Sequence, residues 1–255
     1  MHPLELRGWL FDLDGVLTDT ARLHVEAWKA TFDELLGQLA LSGEAGRPFD
    51  PVGDYERYVD GRPRADGVRA FLASRGVDFP FGDPGDPPDR HTVWGVGNRK
   101  NQGFLELLEE HGVEVFPASV QLVQALVRAG RCTGVVSASE NCRAVLRAGG
   151  LTEFFYVVVD GKIAREQRLR GKPSPDTFLY GATQLQCPPP LVAVVEDAPA
   201  GVAAGRQGGF GYVIGVARGA SPAELLDAGA DVVVRDLQEF QGLVKTLRRW
   251  SVSNP

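Results

Sequence analysis

The chain has 255 residues, 44% of them hydrophobic, and its 27 basic and 33 acidic residues leave a formal net charge of −6. That length supports one large domain or a core with a smaller insert, and the acidic balance argues against a general affinity for nucleic-acid phosphates. Cys132, Cys142 and Cys187 cannot all pair and lack metal-ligand spacing, no apolar run approaches the ~20 residues that span a bilayer, and the start lacks signal-peptide features, so the expectation is a reduced, cytoplasmic protein with no membrane or nucleic-acid partner.

In chain order, the first short apolar run, Gly8 to Phe11, reads as a buried strand. Between it and Pro117 come helical patterns at Ala21 to Leu36, Asp66 to Ser74 and Asn101 to Glu110. Gly- and Pro-rich loops separate them, above all Phe79 to Pro88, and no strand is convincing there. From Pro117 the pattern alternates. A helix at Val120 to Ala129 ends at Gly130, Cys132 to Val136 reads as a strand, and Cys142 to Ala148 as a helix. Further strands are expected at Phe155 to Val159, Leu191 to Val195, Tyr212 to Val216 and Asp231 to Val234. These runs are rich in Val and end at polar residues, as strands covered on both faces do. The alternation predicts an α/β fold, a doubly wound parallel sheet. The helical block reads as a cap inserted after the first strand, giving a core of residues 1–20 and 112–255 and a cap of 21–111. The tail from Arg248 to Pro255 is expected to fray.

Ligands of open α/β sheets bind beyond the carboxyl ends of the strands, and the polar residues gather there. The first strand delivers Asp12 and Asp14, the second Ser137, Ala138 and Ser139, the loop after the third Lys172, and the fourth Glu196 and Asp197. Asp12 and Asp14, two apart, leave the same side of an extended chain, and Gly15 permits a sharp turn. Four carboxylates at one edge repel one another, and a hard divalent cation such as magnesium relieves that while bridging to phosphate. Lys172 and the donors at Ser137 and Ala138 supply the opposite need, binding phosphate oxygens. Taken singly, each residue has a structural reading: the Asp, Ser and Glu-Asp positions as helix caps or turns, Lys172 as an exposed loop lysine. Their joint placement favours phosphoryl transfer.

At these residues the sequence resembles the haloacid dehalogenase-like superfamily of phosphotransferases along nearly its whole length. Asp12-Leu13-Asp14-Gly15-Val16-Leu17-Thr18-Asp19-Thr20 is similar to its first motif, Val136-Ser137-Ala138-Ser139 to its second, Gly171-Lys172-Pro173 to its third and Glu196-Asp197 to its fourth. The helical insert matches the subgroup whose cap follows the first motif, and within it the chain resembles β-phosphoglucomutase-like proteins. The resemblance implies Asp12 as nucleophile, Asp14 as general acid and base, and Lys172 as a catalytic cation. It implies Mg2+ held by Asp12, Asp14, Glu196 and Asp197. Ser137, Ala138, Ser139, Asn141 and Lys172 would bind the transferred phosphate. Arg64, in a loop with Gly61, would grip the other phosphate, and Lys100, Thr20, His24 and Trp28 would face the substrate. Arg64 and Lys100 as ordinary solvated charges, and Trp28 as cap core, remain the alternatives. Asp60 and Glu140 stand where mutases of the subgroup carry lysine. The implied partner is a small phosphorylated sugar, and the implied protein a monomer that moves at Thr18 to Thr20 and near Pro117. A mutase acting on β-glucose 1-phosphate, a phosphatase, and a non-catalytic sugar-phosphate sensor are the readings left open. Phosphoacceptor signalling modules lack a cap and the second aspartate followed by Gly.

Overall fold

A computed structural model describes residues 3–59, 62–240 and 242–246. The chain divides into two compact units, Met1–Thr20 with Val113–Pro255, and Ala21–Gly112. Asp60, Gly61 and the tail from Arg248 lie outside the described residues.

In chain order the elements are β1 (Gly8–Phe11) and β2 (Thr18–Asp19), then α1 (Ala21–Gln38), α2 (Arg64–Ser74) and α3 (Val93–His111) of the second unit. The first unit resumes with β3 (Glu114–Val115), α4 (Pro117–Arg128), β4 (Cys132–Val136), α5 (Cys142–Ala148), β5 (Val157–Val159), α6 (Gly161–Glu166) and α7 (Asp176–Gln184). It continues with β6 (Val192–Glu196), α8 (Pro199–Gln207), β7 (Tyr212–Val216), α9 (Pro222–Asp227) and β8 (Val232–Val234). Among the described residues, no helix is long and apolar enough to cross a membrane.

Six strands form one parallel sheet in the order β5-β4-β1-β6-β7-β8. Every residue of β1 and of β6 is buried, which explains why both read as unbroken apolar runs rather than alternations. The chain leaves β1 in both directions, first to β4 and β5, then back across to β6, so the order reverses beside β1. Phe11 is in register with Val135 on one side and Val195 on the other. The residues that follow these positions therefore emerge together at one edge, at a topological switch point. Leu10, Val194, Phe178 and Val202 form part of the core beneath that edge.

Two differences from the expected elements have physical causes. Thr18 and Asp19 pair antiparallel with Val115 and Glu114 as a two-residue ribbon, too short to leave a period in the sequence. The expected hinge positions Thr18 and Asp19 thus lie in a ladder, and Pro117 opens α4. The third helix starts at Val93, not Asn101. Gly95 and Gly97 lower helix propensity there, yet the Thr92 hydroxyl accepts from the Gly95 amide at 3.0 Å and caps the helix.

In the second unit α1, α2 and α3 enclose their own core, in which the Phe32 and Phe71 rings stack with centroids 3.9 Å apart. The Pro-rich loop before α3 is pinned rather than loose. Asp86, 5% exposed, accepts from Thr92 Oγ1 at 2.6 Å and Arg90 Nη1 at 2.7 Å. The Asn98 amide donates to the Pro84 carbonyl at 3.0 Å and the Asp86 carbonyl at 2.8 Å.

Candidate active site

Asp12 leaves β1 still in the sheet, its amide donating to the Val195 carbonyl at 2.9 Å. Its carboxylate accepts from Lys172 Nζ, which also donates to the Val136 carbonyl at 3.2 Å and lies 2.5 Å from Glu196 Oε1. One ammonium thus ties together the ends of β1, β4 and β6, with the Phe178 ring 5.0 Å from it. Glu196 is 1% exposed, and its Oε2 accepts from the Ala198 amide at 3.0 Å. A Cβ at position 201 would overlap Glu196 Oε1, so Gly201 at the start of α8 leaves the space that this carboxylate fills. Gly15 has the same relation to Asp197. It turns the chain with φ 81°, its amide donates to the Thr18 carbonyl at 2.8 Å, and a Cβ there would overlap Asp197 Oδ2.

Asp14 is held by Thr20, whose hydroxyl donates to Asp14 Oδ1. Thr20, expected to face the substrate, is 1% exposed, and this hydroxyl orients Asp14. After β4 the chain makes two successive serine turns. Ser137 Oγ accepts from the Ser139 amide at 3.1 Å, and Ser139 Oγ from the Asn141 amide at 3.1 Å. Gly161 supports this loop from below, its amide donating to the Ser139 carbonyl at 3.2 Å, and a Cβ there would stand 2.5 Å from the Ala138 carbonyl oxygen. Asp12, Asp14, Ser137, Ala138, Ser139, Asn141, Lys172, Glu196 and Asp197 all belong to this carboxyl-end edge of the first unit. Glu140 is ion-paired with Arg165. Its charge is therefore answered by a residue that the sequence reading did not single out.

Electrostatically the edge is acid-rich around one cation. Burial works against the Lys172 ammonium, but Asp12 and Glu196 outweigh it and hold its pKa above the ordinary lysine value. Burial, then the Asp12 charge, raises the Glu196 pKa, while Lys172 opposes the shift. Burial, followed by Asp12 and Glu196, pushes Asp197 up to about 8. A buried carboxyl with acidic neighbours is the environment that a hard divalent cation relieves. Among the described residues no three acidic, histidine or cysteine side chains already converge as a metal cage. The donor set that fits magnesium is Asp12 and Asp197 with Asp14 beside them. Glu196, expected as a direct or water-mediated ligand, has its two oxygens hydrogen-bonded by Lys172 and the Ala198 amide.

The second unit has a separate polar cluster. Lys100, 4% exposed, meets His24 Nδ1 at 2.6 Å and lies 5.1 Å from the Trp28 ring and 4.9 Å from the Phe104 ring. The His24 ring stacks on Phe104 at 4.3 Å. Burial, then Lys100 and Arg64, lowers the His24 pKa well below the usual value, so the neutral ring accepts from Lys100. Trp28 is 4% exposed and stacked on Phe32 at 5.0 Å, which places it in the core of this unit rather than at an open face. The Arg64 stem packs over Gly97, where a Cβ would lie 3.2 Å from Cδ, and its guanidinium reaches Asn98 Oδ1 at 3.5 Å.

A family model described as haloacid dehalogenase-like hydrolase matches residues 6–209. A β-phosphoglucomutase of Mycobacterium bovis is 50% identical over 242 residues, 93% of this chain and 92% of that protein. Hexitol phosphatase A of Escherichia coli is 28% identical over 241 residues, 93% of this chain and 94% of that protein. Among solved structures, a β-phosphoglucomutase from Clostridium difficile shares the fold with a TM-score of 0.71 at 23% identity, over 97% of this chain and 99% of that one.

Proposed function

The chain belongs to the haloacid dehalogenase-like hydrolase family, as an enzyme acting on phosphate groups with phosphoglucomutase-type relatives, and from that premise we propose that it converts β-glucose 1-phosphate to glucose 6-phosphate through a phosphorylated Asp12. The observation that carries this reading is the Lys172 ammonium shared between Asp12 and Glu196 at the end of β1. It holds one carboxylate in place beside a loop of backbone donors, which is what an in-line attack on phosphorus needs.

Asp12 attacks the phosphorus and becomes the acyl phosphate. Asp14, oriented by Thr20, protonates the leaving oxygen and then takes the proton of the next nucleophile. The Ser137 and Ser139 hydroxyls, the Ala138 amide and the Lys172 ammonium bind the equatorial oxygens. Bound magnesium, with Asp12, Asp14 and Asp197 as its holders and Glu196 supporting through Lys172, would neutralise charge between carboxylates and phosphate. In the second unit, Arg64 is assigned to the phosphate that is not transferred, because a guanidinium binds its oxygens in two places at once. Lys100, with His24 beside it, is assigned to a sugar hydroxyl.

A second reading, a phosphatase acting on a sugar or sugar-alcohol phosphate, has support from the hexitol phosphatase likeness. The 50% identity to a β-phosphoglucomutase over 93% of this chain favours the mutase. The test is a product assay: β-glucose 1-phosphate with magnesium and a trace of β-glucose 1,6-bisphosphate. Glucose 6-phosphate is expected, and free phosphate without it would establish the phosphatase instead.

A further inference from the structure

Beneath Gly8, at the sheet edge opposite Asp12, two thiols meet that the chemistry above does not use. Cys132 opens β4 in register with Gly8 of β1, and its amide donates to the Arg7 carbonyl at 3.0 Å. Cys187 follows α7, its amide donating to the Ala182 carbonyl at 3.0 Å. A Cβ at position 8 would lie 3.4 Å from both Cβ and Sγ of Cys187 and 3.1 Å from Val192 Cγ2. Glycine thus leaves the room in which Cys187 sits. Register partners on parallel strands carry their side chains to the same face, so Cys132 shares that face, and after burial it is Cys132 that raises the Cys187 thiol pKa. Both pack against one apolar cluster, and both are free thiols.

We propose that Cys132 and Cys187 form a peroxide-responsive pair that closes to a disulfide. Cys132 is half-buried and Cys187 buried, so Cys132 meets the oxidant first. Its sulfur attacks hydrogen peroxide, the O–O bond breaks, and Cys132 sulfenic acid and one water result. The Cys187 sulfur then attacks the sulfenic sulfur, and the hydroxyl leaves with the Cys187 proton as a second water. Two sulfurs have lost two electrons in all, and one peroxide has gained them. Burial pushes the Cys187 thiol up, which keeps it from competing with Cys132 for peroxide, so its attack on the sulfenic sulfur relies on adjacency to Cys132. The cross-link ties the start of β4 to the chain entering β6, away from Asp12, and stabilises by constraining the unfolded chain.

Cys142 is an internal control: it is fully buried, and burial with Asp14 and Asp12 raises its thiol pKa. The experiment treats the full chain with hydrogen peroxide, alkylates free thiols after unfolding, and maps peptides without reduction. The expected result is a Cys132–Cys187 linked peptide, alkylation of Cys142 alone, a raised Tm and unchanged turnover. Cys187→Ser should stop at a dimedone-reactive sulfenic acid on Cys132, and Cys132→Ser should leave Cys187 a thiol. Cys132 driven to sulfinic acid while Cys187 remains alkylatable would overturn the proposal, as would both thiols surviving excess peroxide.

Discussion

A methyl group at position 201 has nowhere to go except into the Glu196 carboxylate, which makes a residue without a side chain a determinant of the site's geometry. Gly201→Ala should displace Glu196 from Lys172 and lower kcat by roughly 10–100-fold, the usual cost of losing a supporting interaction. Unchanged steady-state rates would show that Glu196 does not position the lysine. Lys172→Met has a sharper signature. It leaves Glu196 buried without its ion-pair partner, a change that costs ~3–5 kcal/mol when one member of a buried pair is removed. Because the Glu196 pKa is already raised, chiefly by burial, the variant's deficit should shrink as pH falls and Glu196 takes up a proton. Denaturant unfolding at acid and neutral pH measures it, and a deficit independent of pH would contradict the assignment. At this scale the acids and the lysine were legible as residue types at strand ends. Gly201, Arg165 and the role of Thr20 were not, because their contributions are steric fit and pairing across loops distant in sequence.

Among the elements, α3 shows how a helix can begin where its sequence argues against it. Gly95 and Gly97 weaken its first turns, but the Thr92 cap, itself held by Asp86, compensates. Thr92→Val should therefore destabilise the second unit by ~1–2 kcal/mol, read as a drop in Tm, and an unaltered Tm would mean the cap contributes nothing. The strands of the sheet were legible because burial on both faces writes continuous apolar runs: β1, β4 and β7 occupy the expected residues. The short helices α6 and α9 were not singled out. Both carry cap signals, Asp160 accepting from the Ile163 amide at 2.9 Å and Ser221 with Glu224 in a capping box. Each is a six-residue element, and so short a helix shows little periodicity.

For the whole molecule, the acid cluster links metal, proton and stability. The Asp197 carboxyl moves from an ordinary 3.8 to about 8 in the folded chain without metal, through burial first and then Asp12 and Glu196. A folded pKa above the unfolded one means that its stabilising contribution is complete below about 4 and is lost as pH rises to about 8. The metal-free protein should therefore lose Tm across that window, and magnesium, by favouring the carboxylate, should flatten the slope and release protons at neutral pH. Thermal scans with chelator and with magnesium test this, and identical slopes would refute it. The measurement that bears most directly on the central claim is the identity of the phosphorylated residue. The protein is mixed with magnesium and β-glucose 1,6-bisphosphate, quenched in acid, reduced with borohydride and peptide-mapped. Homoserine at position 12 is the predicted result. Reduction at another residue, or full turnover by Asp12→Asn, would contradict it.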